Sequence, residues 1–177
     1  EGYVIDKAMA NCLLTGLITD TGRFQYPNTT SEVFNIASEL LKIGADLALI
    51  SENIYGSIEF NALKLQSEII NRIEFEKDIQ FTFSTVYQDD YKKYNIDPEE
   101  TDFLIDVVRL VKDANIALLL KEQSDGSFKG SLRSRNNFNV QELASLFDGG
   151  GHKAASGFSS TLPEEEIIEK IKNAIKT

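Results

Sequence analysis

Three successive glycines run into the only histidine of this 177-residue chain, in the segment Gly149-Gly150-Gly151-His152-Lys153. Consecutive glycines clear side chains from a stretch of backbone. Ligand atoms can then approach its N–H groups, which can form an anion-binding nest. His152 and Lys153 end that stretch and can donate to phosphate. A flexible loop with an incidental histidine accounts for the same letters. Upstream, a period of two places Lys129, Ser131, Arg133 and Arg135 on one face of a strand. Phe128, Gly130, Leu132 and Ser134 fall on the other. Three cations on one face can grip a phosphate, and arginine does so with a planar fork of donors. The same pattern also serves as a solvated guard on an edge strand. Asp20, beside Gly22, is the third candidate. A carboxylate on such a turn can bind a hard cation, or it can cap its own backbone. Asn28 and Thr29 read as a turn residue and a helix cap.

Helices and strands must carry these groups to their places. Val4, Ile5, Ala8, Met9, Cys12, Leu13 and Leu17 recur at helical spacing, so a helix over roughly 5–17 delivers Asp20 to its end. Thr29 and Glu32 have capping-box spacing for the next helix, whose stripe is Val33, Ala37, Leu40 and Leu41 and whose stop is Gly44. Leu47, Ile50 and Ile54 suggest a short helix. Ile58, Ala62, Leu65, Ile69 and Ile73 mark a longer one. Then the period changes to two. Ile79, Phe81, Phe83 and Thr85 predict a strand with one buried face. Asp97-Pro98-Glu99-Glu100 is a helix start, with Leu104, Val107, Val108 and Val111 as its apolar face. Ile116 to Leu120 is a buried strand, Asp125-Gly126 a hairpin turn, and Ser127 to Arg135 the returning strand. Val140 to Phe147 is a short helix, Ala155 to Ser159 a strand, and Ile167, Ile168, Ile171 and Ile175 line a last helix. The fold class is therefore α/β, with a boundary near residue 75. Residues 1–74 form a helical piece, and residues 75–177 a small mixed β-sheet domain flanked by helices.

Composition narrows the function classes. A net charge of −10 argues against broad, nonspecific duplex binding, which relies on many Lys and Arg contacts to phosphate. A local basic pocket for a small anion is still compatible with it. The single Cys12 cannot form an internal disulfide, which is compatible with a reducing cytoplasm. No apolar run approaches membrane-spanning length, and no basic, apolar leader is present. The chain opens on Glu1 rather than Met, so it is expected to begin inside a longer protein.

Two segments together resemble one family. Leu17-Ile18-Thr19-Asp20-Thr21-Gly22-Arg23-Phe24, followed by Pro27-Asn28-Thr29-Thr30, is similar to the last motif of the DHH phosphoesterase domain. Gly149 to Phe158 resembles the signature of the DHH-associated C-terminal domain, with Ser131 to Arg135 upstream as in that family. The pattern is most like the bacterial oligoribonucleases called nanoRNases, which also dephosphorylate 3′-phosphoadenosine 5′-phosphate. RecJ-like single-strand exonucleases and cyclic dinucleotide phosphodiesterases are relatives. The resemblance implies that Asp20 is a catalytic residue and a ligand of manganese, with a pair of Mn²⁺ ions in the parent protein. It implies that Arg133, Ser134, Arg135, Gly149, Gly150, Gly151 and His152 hold the substrate. The metals would lie on an N-terminal catalytic domain, of which residues 1–74 are the helical remnant, with a cleft between it and residues 75–177. Expected partners are short single-stranded RNA or nucleotide phosphates, in the cytoplasm, without a membrane. A homodimer is among the assemblies open to it. One histidine in total makes an Asp-His-His motif impossible here, and Asp89-Asp90 does not supply the Asp-x-Asp motif. The chain alone is therefore expected to bind substrate without hydrolysing it. The other class of function is a non-catalytic nucleotide- or RNA-binding module, as related domains serve in alanyl-tRNA synthetases.

Overall fold

The computed structural model describes residues 4–136 and 138–176. The chain divides into two compact units between Ile58 and Glu59. Glu1 lies outside the described residues. Among those residues, no helix is long and apolar enough to cross a membrane.

The first unit is built of helices α1 (Lys7–Asp20), α2 (Ser31–Ile43) and α3 (Leu47–Ser51), with a π-helical turn at Glu52–Gly56. Aspartate and threonine caps start them. The Asp6 carboxylate accepts from Met9 N at 2.8 Å, and that of Asp46 from Leu49 N at 3.0 Å. Thr30, not Thr29, caps α2, its hydroxyl accepting from Val33 N at 3.4 Å. The cap is thus displaced by one residue. With Val33 at the third helical position the expected capping box does not form, and Glu32 stands in the first turn. Gly44 ends α2 at φ 110°, a left-handed conformation suited to glycine. Ala10, Leu14, Ile18, Ala37, Leu40, Ala45 and Ile50 form the core. That core corrects the stripe expected for α1. Met9 and Leu13 are exposed, and the buried row lies one position further along. Apolar residues surround most of this helix, so its sequence supports either row, and packing against α2 selects one.

The second unit is a six-stranded sheet with helices on both faces. Its strands are β1 (Glu74–Glu76), β2 (Phe81–Val86), β3 (Ile116–Glu122), β4 (Phe128–Ser134), β5 (Gly150–His152) and β6 (Ala155–Ser160). The spatial order is β1-β2-β3-β4-β6-β5, with β2 and β3 parallel and every other pair antiparallel. On one face, Phe81, Phe83, Ile116, Leu118, Leu120, Leu132 and Phe158 pack under α7 (Val140–Ser145) and α8 (Glu164–Ile175). On the other, Val86, Ala117 and Leu119 pack under α4 (Phe60–Asn71), α5 (Gln88–Tyr94) and α6 (Leu104–Val108).

Three expectations change here. The boundary expected near residue 75 moves to Ile58/Glu59, because Ala62, Leu65 and Ile69 of α4 share a core with β2, β3, α5 and α6. β2 is buried at all six positions rather than on one face. A strand parallel to its neighbour and covered on both sides has no solvent face. Ile79 lies outside it, in the 3₁₀ turn Lys77–Ile79. Asp97-Pro98-Glu99-Glu100 starts a 3₁₀ turn at Pro98–Thr101 instead of an α-helix, and α6 follows separately. Its cap is as expected: the Asp97 carboxylate accepts from Glu99 N at 2.9 Å.

Candidate functional site: an open cationic sheet face

Register decides which side chains meet. β4 pairs with β6 so that Lys129 faces Ser159, Ser131 faces Gly157, and Arg133 faces Ala155. β6 pairs with β5 so that Gly157 faces Gly150 and Ala155 faces His152. Partners across a ladder share a face. Arg133, Ala155 and His152 therefore form one row, Ser131, Gly157 and Gly150 the next, and Lys129 and Ser159 the third. The helices α4, α5 and α6 share their core with β2 and β3 on this side, and the strip over β6 and β5 stays open. Lys129, Gly150, His152, Gly157 and Ser159 are exposed, while Ser131, Arg133 and Ala155 are half-buried. Small residues thus floor a shallow strip edged by Arg133, His152 and Lys129.

The glycine run is an edge strand with its turn, not a loose loop. β5 ends at His152, and Lys153 and Ala154 turn the chain into β6. The glycines have separate reasons. A Cβ on Gly149 would lie 2.4 Å from the Gly157 carbonyl oxygen and 2.5 Å from Phe158 Cβ. A Cβ on Gly151, at φ 140°, would lie 2.7 Å from the Ala155 carbonyl oxygen. Gly150 has nothing within 4 Å of that position, on the open face. Gly149→Ala is therefore expected to destabilise the sheet by about 1–3 kcal/mol through overpacking. Gly150→Ala should leave stability within about 0.5 kcal/mol of the parent. Urea unfolding of the pair checks this, and equal losses would contradict it.

Ser134 separates from that face, and Arg135 lies just beyond the end of β4. Ser134 points to the other side, where its hydroxyl donates to the Phe138 carbonyl oxygen at 2.8 Å. It holds the segment after β4 rather than lining the strip. Arg135 follows the strand, its N–H donating to the Asn115 carbonyl at 2.8 Å, and it lines a crevice with Arg109, Asn115 and Arg133. Lys121 was not singled out in the sequence. It stands directly opposite Lys129 on the same face, and counting outward from Asp125-Gly126 finds it. Its partner Asp102 carried no sequence signal. The Lys121 ammonium beside Asp102 holds that carboxyl below the usual carboxylate range, with Lys129 and Arg133 adding to the pull.

Asp20 belongs to the first unit. It is the last residue of α1, and its side chain is exposed. Asn28 Nδ2 donates to its carboxylate at 3.3 Å and to its backbone carbonyl at 3.2 Å. The turn beyond is tightly wound: Gly22, Arg23 and Phe24 have φ of 56°, 63° and 61°. Left-handed backbone at two successive non-glycine residues costs energy and persists only where neighbours enforce it. Here the Thr21 hydroxyl accepts from Phe24 N at 3.2 Å, and the Arg23 guanidinium lies 3.9 Å above the Tyr55 ring. Among the described residues, no three His, Cys, Asp or Glu side chains gather to hold a metal ion. A hard divalent cation takes six or more oxygens, so one carboxylate does not fit the manganese pair by itself.

The chain is similar to several known proteins. The chain is 35% identical over 169 residues to a probable bifunctional oligoribonuclease and PAP phosphatase NrnA of Streptococcus mutans, across 94% of this chain and 54% of that protein. It is 27% identical to the bifunctional oligoribonuclease and PAP phosphatase NrnA of Thermus thermophilus, across 95% of this chain and 50% of that protein. The chain thus spans about half the length of these curated relatives. The crystal structure of an exopolyphosphatase-related protein from Bacteroides fragilis superposes with a TM-score of 0.90 at 28% identity, covering 97% of this chain and 51% of that one. Residues 78–177, which carry β2 to β6 and the cationic strip, match the DHHA1 domain, and the chain belongs to that family.

Proposed function

We propose that this chain is the substrate-holding part of a metal-dependent phosphodiesterase that hydrolyses short oligoribonucleotides to mononucleotides, and that also acts on 3′-phosphoadenosine 5′-phosphate. The observation that carries this reading is the open strip, where Arg133 and His152 share one row and Lys129 stands two rows along. In a chain of net charge −10, Arg133 and Lys129 form no ion pair among the described residues, a local concentration of positive potential on one sheet face. Arg133 offers a planar fork to a terminal phosphate, and His152 adds a second donor from β5. Gly150 and Gly157 let a nucleotide lie close to the backbone. The curated relatives, named for oligoribonuclease and PAP phosphatase activity, support the same substrate class.

In the whole protein, Asp20 is one ligand of a manganese pair, positioned by Asn28 and by the Gly22–Phe24 turn. The remaining ligands come from outside this chain's described residues, so the chain alone binds without hydrolysing. Cytoplasmic residence belongs to the same reading and suits an exposed, unpaired Cys12. A binding-only module is the second reading, favoured by the lack of a metal-holding cluster among the described residues.

Calorimetric titration with 3′-phosphoadenosine 5′-phosphate tests the grip. Metal-free binding is expected, and His152→Ala should weaken it about tenfold, the loss of one charge-assisted contact. Equal affinity in wild type and variant would remove the strip from the site.

A further inference from the structure

The cation row of β4 continues onto β3. Lys121 lies opposite Lys129 on the same sheet face, and its side chain is only 5% exposed. Its ammonium holds the Asp102 carboxylate at 2.5 Å. Asp102 is placed between the 3₁₀ turn Pro98–Thr101 and α6, and its side chain is 82% exposed. The pair is lopsided. A buried cation is partnered by a carboxylate that reaches in from solvent. Among the described residues, Lys129, Arg133 and Arg135 form no ion pair. Asp102 is thus a carboxylate lodged at the edge of a face whose other charged groups on β4 are open cations. A carboxylate oxygen and a phosphate oxygen make the same kind of charge-assisted contact with an ammonium.

We propose that Asp102 is an internal competitor for anionic ligand, a specificity-determining residue that holds Lys121 and sets how tightly a ligand with a second phosphate is bound. This rests on the ligand-holding role of the strip. The geometry gives the competitor a defined reach. Arg133 and Lys129 are four residues apart on β4, about 14 Å along the strand. Asp102 also acts electrostatically on Lys129 and, less strongly, on Arg133, so a phosphate on the Arg133–His152 row feels it least. A second phosphate extending toward Lys129, directly opposite Lys121 on the ladder, approaches the charge of Asp102 more closely. Mononucleotides are therefore affected less than phosphorylated dinucleotides.

The two members of the pair should then act with opposite signs. Titration of the full chain with 5′-phosphorylated diadenylate and with adenosine 5′-monophosphate reads this directly. Asp102→Asn is expected to tighten the dinucleotide about three- to tenfold by removing one negative charge beside it. Lys121→Met is expected to weaken it by a similar factor, because Asp102 is left unneutralised. Affinity for the monophosphate should change less than twofold in both. Thermal melts report whether each variant is folded, and either folded variant alone decides. A folded variant whose dinucleotide affinity equals that of the wild type overturns the proposal while leaving the strip intact. A wild-type chain that binds neither ligand overturns both this role and the proposed function.

Discussion

Replacing Asp90 with alanine is expected to cost the sheet unit about 3–5 kcal/mol, the range for removing one partner of a buried ion pair. Asp90 is 4% exposed. It accepts from Arg72 Nη2 at 2.8 Å and from Tyr87 N at 2.9 Å. One carboxylate thus ties the C-terminal end of α4 to the start of α5 and satisfies a backbone donor there. Alanine leaves a guanidinium and an N–H without that partner in a partly dry site. The Arg72 side chain keeps 33% exposure, so water recovers part of its solvation and the lower end of the range applies. Domains are stable by about 5–15 kcal/mol, so the melting temperature should fall by about 10 °C or more. Chemical denaturation with a constant slope checks the figure. Arg72→Met with Asp90→Leu should restore much of the loss, since an apolar pair strands no charge. A single-variant loss below about 1 kcal/mol would show that the pair is not held as described.

Arg133→Ala should weaken binding of 3′-phosphoadenosine 5′-phosphate by about 10- to 100-fold, corresponding to about 1.5–3 kcal/mol for a hydrogen bond to a charged group. Its guanidinium makes one backbone contact, to the Leu132 carbonyl oxygen at 3.0 Å, and no ion pair among the described residues. Removal therefore leaves no protein carboxylate stranded, and the melting temperature should scarcely move. The salt dependence of binding should also flatten, because one screened cation–phosphate contact is lost. Calorimetry at several salt concentrations measures both quantities. Unchanged affinity with an unchanged slope would take Arg133 out of the phosphate grip. Ser134→Ala serves as the contrast, because its hydroxyl belongs to the far side of the sheet and to the backbone of Phe138.

Much of the second unit was legible one segment at a time. Alternation in Phe128 to Arg135 put Arg133 and Lys129 together, and the ladder keeps them so. The Asp125-Gly126 turn fixed the hairpin, with Gly126 at φ 82°. Ile167, Ile168 and Ile171 are the buried row of α8, as their spacing predicts. The errors share a cause. The α1 stripe and the single buried face of β2 each depended on what an element packs against, and spacing names no partner.

The DHHA1 signature, the cations of β4 and the carboxylate at the end of α1 were determined by sequence alone, because they rest on residue type, local period and order along the chain. Only the tertiary structure decided the rest. The ladder β4-β6-β5 set His152 in the row of Arg133 and showed Gly149 and Gly151 to be glycines for close backbone approach, leaving Gly150 open to a ligand. It sent Ser134 to the opposite face and brought Asp102 onto Lys121 across 19 residues. Such pairings are set by strand register and by the packing of helices on a sheet, and no local pattern encodes a contact between segments that meet only when the core forms.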